Sequence, residues 1–178
     1  MKIAVVSYSY TGNNEALSDA VAKALSADHI RIAEKAPRKT GTIVMDMMFN
    51  RTPRVQPLPA ALGQYEQVLF VAPVWMGLAA SPLRSYFKHL KANPRPYAFA
   101  SISGGALNPN PKLKDGLTKR TGAKPTALID LHIADLLPSE PKPTMKDMGA
   151  YRLKDEEIAR LAGKIVKALE STMELHNQ

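Results

Sequence analysis

An α/β fold built on a parallel sheet follows from three observations in the sequence. Five short stretches rich in Val, Ile, Leu, Phe and Ala alternate with amphipathic helical patterns, and parallel strands need such crossover connections. The central stretch, Gln67-Val68-Leu69-Phe70-Val71-Ala72, is apolar almost throughout, as a strand covered on both faces must be. The segments after strands one, three and four are unusual in composition, and open α/β sheets bind ligands outside the carboxyl ends of their strands.

In order, the first strand spans about Lys2 to Ser7 and the first helix about Asn13 to Ser26. Ala16, Leu17, Ala20, Val21, Ala24 and Leu25 recur at three- and four-residue spacing and give that helix one buried face. Asn13 stands as its N-cap. His29 to Ala33 alternates polar and apolar residues, as an edge strand does. Lys35 to Pro59 is the least patterned region, with a helical segment over Thr42 to Asn50 and Pro53, Pro57 and Pro59 keeping the chain extended. After the central strand, Ser81 as N-cap and Pro82 at the first position open a helix with Leu83, Tyr86, Phe87 and Leu90 inward. Pro96 to Ile102 is the fourth strand, and Pro111 to Thr121 a helix closed by Gly122. Thr126 to Ile133 is the fifth strand. Leu136 to Gly149, with Pro138, Pro141 and Pro143, reads as a loop. A helix from Lys154 to about Met173 closes the chain, with Ile158, Leu161, Ile165, Val166 and Leu169 on one side. No repeat or second domain is visible, so residues 1–178 are expected to form a single domain.

Composition excludes several function classes. The 178 residues are enough for one full core, and 45% are apolar. No apolar run approaches the roughly 20 residues of a membrane span. The first apolar stretch is too short for a signal peptide, so a cytoplasmic, membrane-free protein is expected. There is no cysteine, hence no disulfide or thiolate site, and redox chemistry would require a bound cofactor. The net charge is +8, but Lys and Arg are scattered and aromatics are only 6%, without the stacking residues of a nucleic-acid surface. The four histidines, His29, His89, His132 and His176, show no metal-ligand spacing.

Three loops carry the chemistry. Ser7-Tyr8-Ser9-Tyr10-Thr11-Gly12-Asn13-Asn14 joins the first strand to the first helix without a charged residue. A strand turning sharply into a helix presents unpaired N–H groups and the positive end of a dipole, which suits a phosphate. Ser9, Thr11, Asn13 and Asn14 can add side-chain donors. The same residues also suit any strand-to-helix turn. It is not a P-loop, because no Lys or Arg follows Gly12 before Lys23, and Gly12 stands alone where a dinucleotide fingerprint has three glycines. The second loop, Pro73-Val74-Trp75-Met76-Gly77-Leu78-Ala79, holds the only Trp; an indole at a strand end can wall a flat aromatic ligand or simply pack over the sheet edge. The third, Ser103-Gly104-Gly105-Ala106, frees backbone N–H groups for a polar ring edge, or is a plain turn.

With these residues in view, the chain resembles the flavodoxin-like family of FMN-binding proteins. Ser9, Thr11, Gly12 and Asn13 match its Ser-x-Thr-Gly-Asn loop. Pro73, Val74, Trp75 and Gly77 match the Pro-Val-Trp-x-Gly segment of its shorter branches, continued by Pro82-Leu83 and Phe87, and Ser103-Gly104-Gly105 resembles its third loop. The resemblance covers roughly Lys2 to Ile133. It implies a flavodoxin-like three-layer sandwich with a five-stranded parallel sheet, order 2-1-3-4-5, and FMN at its carboxyl edge. By residue, it implies phosphate held by Ser9, Tyr10, Thr11, Gly12, Asn13 and Asn14. Pro73, Val74, Trp75, Met76 and Gly77 would line the isoalloxazine and ribityl chain, with Ser103, Gly104 and Gly105 at the ring's polar edge.

Two departures shape the functional expectation. The electron-carrying members place a Tyr in the third loop, whereas no aromatic lies here between Phe99 and Tyr151. They are also acidic, and this chain is basic. Both weaken a one-electron shuttle and leave room for a protein resembling the family's NAD(P)H-dependent quinone or FMN reductases. The resemblance therefore implies a flavin-dependent redox protein, working with NAD(P)H and a quinone or with a redox partner protein, and a homodimer stays open. The alternative is a binding or regulatory module that keeps the fold without flavin, since Tyr10 is bulkier than the small residue often found there.

Overall fold

The computed structural model describes residues 2–35, 38–104 and 110–176. Five strands form one parallel sheet: β1 (Ile3–Ser7), β2 (Asp28–Arg31), β3 (Gln67–Val71), β4 (Tyr97–Ser103) and β5 (Leu128–His132). Their order is β2-β1-β3-β4-β5, the expected 2-1-3-4-5. Val5 pairs with His29 on one side and with Leu69 on the other, Leu69 pairs with Ala98, and Ala100 with Ile129.

Alternation along each strand sends side chains to two cores. Ala4, Val6, Val68, Phe70, Tyr97 and Phe99 point to one face. There they meet Tyr86, Phe87 and Leu90 of α3 (Arg84–Ala92) and Leu113 and Leu117 of α4 (Pro111–Thr121). Phe70 sits edge-on to Tyr86, Phe87 and Tyr97, its ring centroid 5.1 Å from that of Phe87, a geometry favoured by the ring quadrupoles. Val5, Leu69, Val71, Ala98, Ala100 and Ile102 point to the other face, against α1 (Asn13–Ala24) and α6 (Asp155–His176). Covering both faces is what makes β3 apolar at successive positions. Around this frame lie α2 (Thr40–Met48), a short antiparallel pairing of Ala33–Glu34 with Val55–Gln56, and a 3₁₀ turn over Pro59–Gln64.

Several helix boundaries differ from the sequence reading, each for a local reason. Gly12, not Asn13, is the N-cap of α1: it takes a left-handed conformation (φ +93°) that a side chain disfavours, and Asn13 becomes the first helical residue. Ser81 does not cap α3. It begins a 3₁₀ turn, Ser81–Leu83, and its hydroxyl donates to Asp46 Oδ2 at 3.3 Å. Gly122 closes α4 in the left-handed region as expected (φ +83°). The stretch read as a loop contains α5 (Met145–Ala150), opened by a capping box in which Thr144 and Asp147 satisfy each other's backbone N–H groups.

Candidate functional site

The carboxyl ends of β1, β3 and β4 open into one cleft. It is lined by Tyr10, Thr11 and Asn14 from the first loop, by Pro73, Val74 and Trp75 from the second, and by Ser103 and Gly104 from the third. Thr11 and Trp75 thus line the same cleft. Ile102, Ile133, Met145, Met148 and Gly149 complete the lining. Among the described residues no charged side chain lines it.

The first loop is shaped by hydrogen bonds within the protein. Gly12 N–H donates to Ser9 Oγ at 3.0 Å, which folds the turn. Asn14 is buried, and its amide clamps the main chain of Ile102 at the end of β4: Nδ2 donates to the Ile102 carbonyl (2.7 Å) and Oδ1 accepts the Ile102 N–H (3.0 Å). Asn13, also buried, does the same before α6, donating to the Tyr151 carbonyl (2.9 Å) and accepting the Leu153 N–H (3.1 Å). Both asparagine side chains are therefore engaged in holding the cleft together, each through its oxygen and one N–H of its amide, and each amide has a second N–H. What the loop offers an anion is the first-turn N–H groups of α1, which have no intrahelical acceptor, with the Ser9 and Thr11 hydroxyls.

The second loop is a tight hairpin. Val74–Trp75 pairs with Leu78–Ala79, and the two residues between, Met76 and Gly77, both have positive φ (+49° and +88°), the signature of a type I′ turn. Met76 is exposed at its tip and Gly77 abuts Asn110, so neither lines the cleft. Trp75 is fixed from several sides: Tyr8 and Tyr10 meet it edge-on at 5.8 and 6.2 Å, and the Arg38 guanidinium lies 5.6 Å from its ring centre. In the third loop Ser103 and Gly104 line the cleft; Gly105 lies outside the described residues. Asp130 on β5 accepts from the Ser101 hydroxyl and, at 3.3 Å, from the Asn110 N–H, tying the start of α4 to the sheet.

Behind Trp75 lies a buried ionic cluster that the sequence reading missed. Arg38 donates to Glu34 through two nitrogens and to Asp46 Oδ2 at 2.7 Å. Tyr8 Oη donates to Glu34 Oε2 at 2.9 Å. Burial would lower the Arg38 pKa, but the hydrogen bonds to Glu34 and Asp46 outweigh it and raise it. Burial, then the Glu34 carboxylate, pushes the Tyr8 phenol well above its usual range. Nothing in the sequence marked these residues, since Arg38 is one of many dispersed cations. The α5 lining had a visible signal, the Thr144-x-x-Asp147 spacing of a capping box. Among the described residues no group of three or more His, Asp or Glu side chains is placed to hold a metal ion.

Comparison with solved structures gives the fold its class. A flavoprotein from Lactobacillus acidophilus NCFM, determined in complex with FMN, superposes with a TM-score of 0.60 at 15% identity, covering 72% of this chain and 92% of that one. The apo-form of the Lactobacillus acidophilus flavoprotein matches with a TM-score of 0.56 at 16% identity, over 74% and 91% of the two chains. A proposed flavoprotein from Bacteroides eggerthii DSM 20697 reaches 0.64 at 17% identity, over 93% and 98%. The architecture is thus flavodoxin-like. No protein-family model matches the chain, and no curated relative does.

Proposed function

We propose that this cleft binds FMN and that the chain is a flavin-dependent redox protein. The observation that carries the reading is the convergence of an α1 N-terminus, the lone indole and the Ser103-Gly104 backbone on a single cleft without charged lining. The donor set fits the cofactor. Ser9, Tyr10, Thr11, Gly12, Asn13 and Asn14 would surround the phosphate with N–H groups, hydroxyls and the helix dipole. Pro73, Val74 and Trp75 present an apolar wall for a flat ring, with Met76 and Gly77 forming the turn that carries it, while Met145 and Met148 add pliable apolar surface to the lining. Ser103, Gly104 and Gly105 would meet the polar rim of the ring. When bound, FMN supplies the electron transfer, which the side chains lining this cleft do not. The protein's part is to orient the ring and to keep water from it. The FMN-bound structure with the same fold supports this reading.

Trp75 is the only tryptophan, so its fluorescence reports directly on the site. Titrating FMN should quench it together with the flavin's own emission, with one equivalent bound. Trp75→Leu should weaken FMN binding severalfold. A protein whose Trp75 emission ignores high-micromolar FMN does not bind flavin here. NADPH-driven reduction of a quinone by the FMN-loaded protein would assign it to the reductases; reduction only through a partner protein would make it a carrier. The reading without flavin draws on Tyr10, exposed at the cleft mouth and edge-on to Trp75. It requires that Tyr10→Gly bind FMN where the parent does not.

A further inference from the structure

A second groove runs between α3 and α4 on the face away from α1 and α6. Its volume is about 560 Å³, within the range of small-ligand sites. It shares no lining residue with the cleft. Five cations line it: Arg84, Lys88 and Lys91 from α3, and Lys119 and Arg120 from α4, with Thr52 at one edge. No acidic residue lines it, and none of these five side chains takes part in an ion pair among the described residues. The nearest carboxylates in sequence are Asp115 on α4 and Asp46 on α2, and Asp46 is engaged by Arg38 and Ser81.

Packing forces these cations together. A Cβ on Gly116 would lie 2.5 Å from Leu78 Cδ2, and one on Gly122 would lie 3.5 Å from Lys91 Cγ. The missing side chain of Gly116 lets α4 close on the hairpin loop, while a Cβ on Gly122 would make only an ordinary contact with Lys91 of α3. Arg84 is buried. Its Nη1 donates to the carbonyls of Asp46 and Arg51, and its Nε has no partner. An unpaired buried N–H costs free energy and is normally satisfied by something. Arg120 is held by Asn50 Oδ1 at 2.7 Å. Burial and then the Arg120 charge draw the Arg84 guanidinium down to about 10. Both groups gain if an anion enters.

We infer that this groove is a binding site for a small molecule carrying two or more phosphate groups. The number of cations and the volume exceed what one phosphate needs. Among the described residues the lining has no aromatic side chain on which a base could stack, so the groove suits phosphates rather than a nucleobase. Lys and Arg together give point charges and planar forks, the pairing that phosphate sites use.

Inorganic tripolyphosphate is the probe. In calorimetry at about 0.15 M salt, where the screening length is about 8 Å, it should bind with one-to-one stoichiometry and more tightly than orthophosphate. K88Q/K91Q/K119Q, which changes exposed side chains only, should weaken it about tenfold or more. K164Q/K167Q on the far face, removing exposed lysines of α6, should leave it unchanged. The single variants K88Q and K119Q, each expected to lose part of the affinity, keep the test open if the triple variant unfolds. Equal losses in both lysine sets, or no saturable binding at this salt, would overturn the assignment. So would a polyglutamate peptide binding as tightly as tripolyphosphate, which would mark the groove as a docking surface for an acidic protein. None of these measurements uses flavin.

Discussion

Gly77 and Arg38 show how much a single position decides. Gly77 follows Met76, itself at positive φ, and a Cβ there would sit 3.2 Å from Asn110 Oδ1. Gly77→Ala should therefore lose about 1–2 kcal/mol, the cost of a left-handed L-residue, measured by urea unfolding; an unchanged midpoint would show the turn is not held in this form. Sequence alone marked Gly77 as a glycine near the site but not its role, because the I′ geometry depends on strands two residues long on either side. Arg38 was less legible still. It is buried between Glu34 and Asp46, and Arg38→Met leaves two carboxylates facing each other without a counter-charge. That variant should lose about 3–5 kcal/mol, as expected when a buried ion pair is broken from one side. A loss under about 1 kcal/mol would mean the cluster behaves as a surface network.

Elements position the site through their ends. Asn14, in the first turn of α1, bonds both main-chain groups of Ile102. Asn14→Ala orphans a buried N–H and a buried C=O and should destabilise by about 2 kcal/mol or more. FMN affinity should fall with it, because the α1 N-terminus is no longer registered against β4. Retained stability with both groups hydrated would contradict the clamp. Helix α5 depends on its capping box. Thr144→Ala should speed hydrogen exchange of the amides of residues 145–150 while leaving the sheet protected, since the cap is local. Its effect on the cleft should appear as weaker ligand binding through Met145 and Met148. The cap was readable as Thr144-x-x-Asp147, yet three nearby prolines outweighed it and the stretch read as loop.

At the scale of the whole molecule, His29 is expected to couple stability to pH. Its imidazole bridges Ser7 Oγ and Asp19 Oδ1, each at 2.7 Å, joining β1, β2 and α1. Burial, opposed in part by Asp19, lowers its pKa below the ordinary value of 6.5. The folded protein then binds fewer protons than the unfolded chain just below that pH. Stability is complete above it and is lost as pH falls through the lowered folded value. Thermal melts of the parent should show this slope and His29→Gln should flatten it; identical slopes would remove His29 as the cause. While the sheet order came from the family resemblance and not from the pattern, the sequence by itself determined the five strands, their alternation with helices and the three loops that meet at the cleft. These are local properties, written in apolar periodicity and in where Gly, Pro and Asn fall. Tertiary structure alone decided that Asn13 and Asn14 act as clamps, that Arg38 is buried behind Trp75, that α5 faces the cleft and that scattered lysines converge between α3 and α4. Such pairings join residues as far apart as Asn13 and Leu153, 140 positions along the chain, and a side chain's partner at that separation exists only once the elements have docked.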